Sequence, residues 1–258
     1  MRTDKKGAVI TCGYGSILSS AFRAAAAALS LILVTLVLLM SYQYAGSVAA
    51  DVSPVYSGSV TTVIIDAGHG GEDGGAVSAD GHLEKDLNLS VAMLLGKSLT
   101  EMGYNVVYTR TEDKLLYSEE ENIKGMRKIY DLKNRVKIAE SYPDAIFVSI
   151  HMNAFSSSKY SGLQVYYSPN CENSRLLGEC VQKEAIEQIQ PDNTRKIKKA
   201  DDSIYILKNI NNPSILIECG FMSNPEESRL LADKDYQKRL SFAFVCGIIN
   251  YENTLRGV

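Results

Sequence analysis

Three short runs constrain this chain most: Val60–Asp66 (VTTVIID), Ala145–Ile150 (AIFVSI) and Ile215–Ile217 are β-branched and apolar, without the alternation of a half-exposed strand. Segments of helical period separate them. In Glu84–Met102, Leu87, Val91, Leu94, Leu95, Leu99 and Met102 recur at helical spacing, and Gly103 stands where a helix terminates. Tyr104–Thr109 and Leu163–Tyr167 read as further strands, and Ile204–Leu207 as a short apolar one. Asn122–Glu140, Glu172–Ile189 and Tyr236–Asn250 read as helices, and Asn224-Pro225-Glu226 as a helix start with Asn as cap. Strands apolar on both faces need cover on both faces. The pattern therefore predicts a single three-layer α/β domain over residues 60–254, its central sheet mostly parallel and covered by helices.

The first fifty residues read differently. Residues 1–23 carry Arg2, Lys5, Lys6 and Arg23 against Asp4, and no charged residue occurs from Ala24 to Ala50. The run 24–44 has the length and composition of a membrane segment, with basic residues before it and Tyr42 and Tyr44 at its far end. Ser47-Val48-Ala49 fits a signal-peptide cleavage site, while the long leader favours an uncleaved anchor. Either way, the chain beyond the linker at 45–59 is expected outside the cytoplasm. The net charge is −3, so no basic field points to nucleic acid. Cys171, Cys180, Cys219 and Cys246 fall in the domain without a CxxC pair, which argues against a structural zinc ribbon or a thioredoxin-like site.

Ligands of parallel sheets gather beyond the C-terminal strand ends. There the first strand runs into Gly68-His69 and a loop with six glycines from Gly68 to Gly81, which closes on Glu84 in the first turn of the next helix. The run Ala145–Ile150 ends in His151, and Ile215–Ile217 in Glu218. Two imidazoles and a carboxylate make a catalytic zinc set with an open position for water. The ligands favoured are His69, Glu84 and His151, with Glu218 as the proton-transferring acid/base; His82, in the loop, is the substitute ligand. A carboxylate inside an apolar run is costly to bury unless paired or functional, which singles out Glu218.

The stretches VIIDAGHGGEDGGA, LEKDLNLSVAMLLGKSL, GYNVVYTR, SIHMNA and ILIECGFMSNPEE are similar, in order and spacing, to the zinc-dependent N-acetylmuramoyl-L-alanine amidases. RKIYDLKNRVKIAE, DNTRKIK and the N-terminal membrane segment resemble the germination-specific, spore-cortex branch. The resemblance implies one zinc ion held by His69, Glu84 and His151, and Glu218 as the catalytic glutamate. It implies peptidoglycan as substrate, cut between muramic acid and the L-alanine of the stem peptide. It also implies formation of muramic lactam in spore cortex together with a deacetylase, and a regulatory lipoprotein partner.

Asn153, just past His151, is a candidate for hydrogen-bonding the stem peptide or the oxyanion; its plain reading is a loop residue that ends the strand. Arg195, Lys196, Lys198 and Lys199 put four cations in five positions. Their plain reading is a solvated face; their functional one, with Arg195 as the candidate, is contact with stem-peptide carboxylates or the membrane surface. Arg110 reads as a structural ion-pair partner. The competing functions are an anchored peptidoglycan-binding scaffold with an inactive site and a zinc carboxypeptidase or endopeptidase.

Overall fold

The computed structural model describes residues 22, 23, 25, 27–40 and 60–257. The chain divides into two compact units, Met1–Gly58 and Ser59–Val258. In the first, the described residues are helical with exposed apolar side chains, and the hydroxyls of Ser30 and Thr35 donate to the carbonyls of Ala27 and Ile32 in the same helix. Among the described residues no helix is long and apolar enough to cross a membrane. The rest of the expected membrane segment at 24–44, the linker at 45–59 and all of the leader except residues 22 and 23 lie outside the described residues.

The second unit is an α/β domain. Its strands are β1 (Thr62–Ala67), β2 (Asn105–Tyr108), β3 (Ile146–Asn153), β4 (Gln164–Tyr167), β5 (Lys198–Lys199) and β6 (Ser214–Phe221). Its helices are α1 (Glu84–Glu101), α2 (Arg127–Glu140), α3 (Asn173–Gln188), α4 (Tyr205–Asn209), α5 (Pro225–Ala232) and α6 (Lys234–Arg256). One sheet runs β2-β1-β3-β6-β4-β5. Every neighbouring pair is parallel except β4 with β6, so the sheet is mixed.

Alternation along each strand sorts the side chains to two unequal faces. Val63, Ile65, Val148, Ile150, Ile215 and Ile217 enter the larger core, under α1, α3 and α6. Leu95, Leu99 and Phe244 are fully buried there, each contributing about 1.5–3 kcal/mol by leaving water. Ile64 and Phe147 face the other way, onto a smaller core with Val136 and Ala139 of α2 and Ile206 and Ile210. On this second face the polar residues Asp66, Ser149, His151, Glu218 and Gln164 follow one another across the sheet. They are there because strand pairing in register puts partners on the same side: Asp66 opposite Ser149, His151 opposite Glu218, Glu218 opposite Gln164.

Three local expectations are corrected. Ile204–Leu207 is not a strand but runs into the helix α4, because Ile206 and Ile210, one turn apart, share a core while Leu207 joins Ala200 and Leu216. Helix α2 begins at Arg127, after Gly125 at φ 83, not at Asn122. Strands β3 and β6 run on past His151 and Glu218, which lie inside them. Lys198–Lys199, within the basic cluster, is an edge strand paired with Tyr166 and Tyr167. The Asn224 cap is as expected, its side chain accepting from the backbone N–H groups of Glu226 and Glu227. Cys171, Cys180, Cys219 and Cys246 are free thiols.

Candidate active site

His69 lies two residues past β1, with φ 61, the only positive φ of a non-glycine residue among those described. That conformation is unfavourable for most L-residues, and here buried arginines fix the backbone around it. Arg135 donates to the carbonyls of Ala67 and His69, each at 2.7 Å. Arg110 donates to Ala67 and Gly68, each at 2.9 Å, and to Lys85 at 2.8 Å. Arg110 is thus tied to carbonyls, not to the carboxylate expected of an ion-pair partner. Arg135 is itself held by Asp66 and Asp131, and Asp66 also accepts from Ser149 at 2.6 Å and Thr109 at 2.7 Å.

Three predicted donors converge. Glu84 Oε1 is 3.1 Å from His69 Nε2 and 2.9 Å from His151 Nδ1, and one donor atom from each residue falls within 4.8 Å of the others. Glu84 is oriented by the backbone N–H groups of Ala76, at 2.8 Å, and Met152, at 3.2 Å. The Gly-rich loop makes this approach feasible. A Cβ on Gly68 would stand 2.2 Å from His151 Nε2, and one on Gly75 2.5 Å from Glu84 Oε2. His82 lies outside the group; its backbone N–H bonds to Ser78 in the loop.

Asp73 is the residue that sequence reasoning missed. Its Oδ2 is 2.9 Å from His69 Nδ1 and 2.9 Å from Lys128 Nζ. A carboxylate on the far nitrogen fixes the imidazole's orientation and leaves Nε2 for the site. The spacing of four from His69 was the available signal, hidden in a loop rich in acids. Burial disfavours the His69 imidazolium, but its bonds to Asp73 and Glu84 outweigh this and raise its pKa to about 9. Glu84 is the counterpart: burial alone would raise it, and the two histidines hold it well below the usual carboxylate range.

Glu218 stands beside His151 in the β3–β6 register. It is in a different condition from the other acids: its Oε2 is buried and has no hydrogen-bond partner among the described residues. Burial, opposed by the histidines, lifts its pKa to about 7. The donor set and this orphaned oxygen fit a divalent ion with N and O ligands and an adjacent proton carrier.

Asn153 and Arg195 meet elsewhere, lining a cavity of about 320 Å³ with Phe155, Phe221, Gln164 and Lys198. Its lining residue Gln164 is the register partner of Glu218.

A family profile described as N-acetylmuramoyl-L-alanine amidase matches residues 63–250. The germination-specific N-acetylmuramoyl-L-alanine amidase of Bacillus subtilis (strain 168) is 37% identical over 189 residues, which are 73% of this chain and 78% of that protein. Among solved structures, the CwlD amidase from Clostridioides difficile, determined in complex with the GerS lipoprotein, is similar with a TM-score of 0.72. It is 42% identical, over 75% of this chain and 99% of that one. N-acetylmuramoyl-L-alanine amidase AmiC2 of Nostoc punctiforme is similar with a TM-score of 0.64 at 32% identity, over 75% of this chain and 97% of that one. On the breadth of these matches, the chain belongs to the N-acetylmuramoyl-L-alanine amidase family of cell-wall hydrolases.

Proposed function

We propose that this chain is a zinc-dependent amidase that hydrolyses the bond between muramic acid and L-alanine in peptidoglycan. One observation carries the reading: an unpartnered, buried Glu218 oxygen lies one strand from three converging N and O donors. His69, Glu84 and His151 hold the ion. Zinc, when bound, supplies a Lewis acid that polarises the amide carbonyl and acidifies water. Glu218 accepts a proton from the attacking water, then donates it to the alanine nitrogen as the C–N bond breaks. The products are a lactyl carboxylate on the sugar and a free α-amine on the peptide. Asp73 keeps the His69 ring aligned through the cycle, and Asn153 and Arg195 position the stem peptide.

The resemblance to germination-specific relatives extends the reading to spore-cortex maturation, where amide cleavage precedes muramic lactam formation by a partner deacetylase. The apolar N-terminal helix, with its two hydroxyls bonded internally, supports a membrane anchor that places residues 60–254 outside the cytoplasm. A lipoprotein partner is inferred from the complex reported for the Clostridioides difficile relative.

Mass analysis of products from purified peptidoglycan, with and without zinc, tests the function. The expected result is zinc-dependent release of stem peptides with free N-terminal alanine. Release of free D-alanine with muramoyl–alanine bonds intact would instead identify a carboxypeptidase, and intact peptidoglycan a scaffold.

A further inference from the structure

The sheet order separates three kinds of chemistry in space. The metal donors come from the loop just past β1, from β3 and from the start of α1; Glu218 is next, on β6; the cavity has Gln164 of β4, Lys198 of β5 and the neighbouring Arg195 in its wall and reaches back to Asn153 at the end of β3 and Phe221 at the end of β6. The proton Glu218 carries must end on the departing nitrogen. On the amidase reading that nitrogen comes within proton-transfer reach of Glu218, whose register partner Gln164 lines the cavity, so the cavity is the neighbouring space for the peptide attached to it.

The lining of the cavity matches a particular kind of peptide. Two cations and no acidic side chain line it, in a chain whose net charge is −3. The Arg195 guanidinium lies 4.6 Å from the centroid of the Phe221 ring, and donates to the Ser161 carbonyl at 2.7 Å and to Gln164 Oε1 at 3.2 Å. These contacts fix the plane of its fork while using only part of its donors. Lys198 Nζ lies 5.9 Å from the centroid of the Tyr166 ring. Among the described residues neither cation has a carboxylate partner within ion-pair distance. Glu227, an acid on which the Arg195 charge acts, has its oxygens engaged by the backbone N–H groups of Gly162 and Phe221. Phe155, 57% exposed, packs edge-on to Tyr160 and gives the cavity an aromatic wall.

We propose that this cavity is the subsite for the peptide on the amine side of the scissile bond, and that Arg195 and Lys198 select peptides bearing free carboxylates over carboxamides. The proposal rests on the amidase reading above and adds the orientation and charge of the substrate. Hydrogen bonds to a charged partner are worth about 1.5–3 kcal/mol, so the expected discrimination is about 10- to 100-fold.

The test uses the full-length, zinc-loaded protein and two synthetic muramoyl-peptides that differ only in free versus amidated peptide carboxylates. The wild type should favour the carboxylate substrate at least about 10-fold in kcat/KM, mainly through KM. Arg195→Gln should bring that ratio close to one. Because Arg195 also ties down a loop, Lys198→Gln, at an exposed edge position, is the second variant, with a smaller fall in the ratio and an unchanged melting temperature. Equal kcat/KM for the two substrates in the wild type, or an unaltered ratio in both variants, would overturn the proposal. Failure to cleave either substrate would instead overturn the amidase reading on which it depends.

Discussion

Two carboxylates with buried oxygens, on one face of the sheet, are held in opposite ways. Asp66, fully buried on β1, is bonded by Arg135, Ser149 and Thr109; burial would raise it, but these partners prevail and keep it below the ordinary aspartate value. Glu218, on β6 and partly buried, has a buried oxygen, Oε2, with no hydrogen-bond partner among the described residues, and loss of solvation raises its pKa to about 7. Asp66 is a satisfied charge whose work is to brace Arg135 and, through it, the His69 backbone. Glu218 is left unsatisfied beside the donors, in the state a proton carrier needs. Burial alone does not separate structural from functional acids; the completeness of their hydrogen bonding does.

The contrast can be broken at either end. Glu218→Gln keeps the shape and removes the titratable group, so kcat should fall by about 10²- to 10⁴-fold while the melting temperature holds, as read by steady-state kinetics and calorimetry. Asp66→Asn should do the reverse. It leaves Arg135 with one buried anion fewer and should cost about 3 kcal/mol of stability in denaturant titrations, with a smaller loss of turnover in the folded fraction. Asp73→Asn weakens the partner of His69 Nδ1, and competition with a chelator should show zinc binding about 10- to 100-fold weaker.

The smallest effect concerns pH. A base must be ionised to accept a proton, so kcat/KM should fall as the medium becomes acidic enough to protonate Glu218. The midpoint is about 7 for the metal-free site, and a cation on the neighbouring donors favours the anion and draws the midpoint down toward the ordinary 4.5. The acid limb of the zinc enzyme should therefore lie between these values and vanish in Glu218→Gln. A limb above 7 would mean that another group controls it.

The donors were legible because they break a pattern: Glu218 comes directly after Ile215–Ile217, His151 closes an apolar run broken only by Ser149, and His69 and Glu84 bracket a loop too rich in glycine to be a plain connection. What supports them was not. Arg135 sits in a helix with many charges and reads as a surface residue, yet it is 1% exposed. Asp73 looks like one acid among several in the loop. The reversal of β4 does leave a trace in the sequence: residues 154–163, which separate β3 from β4, carry no helical period, and parallel strands need a longer crossover. Ile204–Leu207 is too short for its period to separate helix from strand.

The division of labour at the site, three residues for the ion and one for the proton, is tested most directly by the zinc content of purified Glu218→Gln protein beside the wild type. The account predicts about one tightly held zinc in each, with turnover lost only in the variant. A Glu218→Gln protein that folds but no longer retains zinc would make Glu218 a ligand and contradict the assignment.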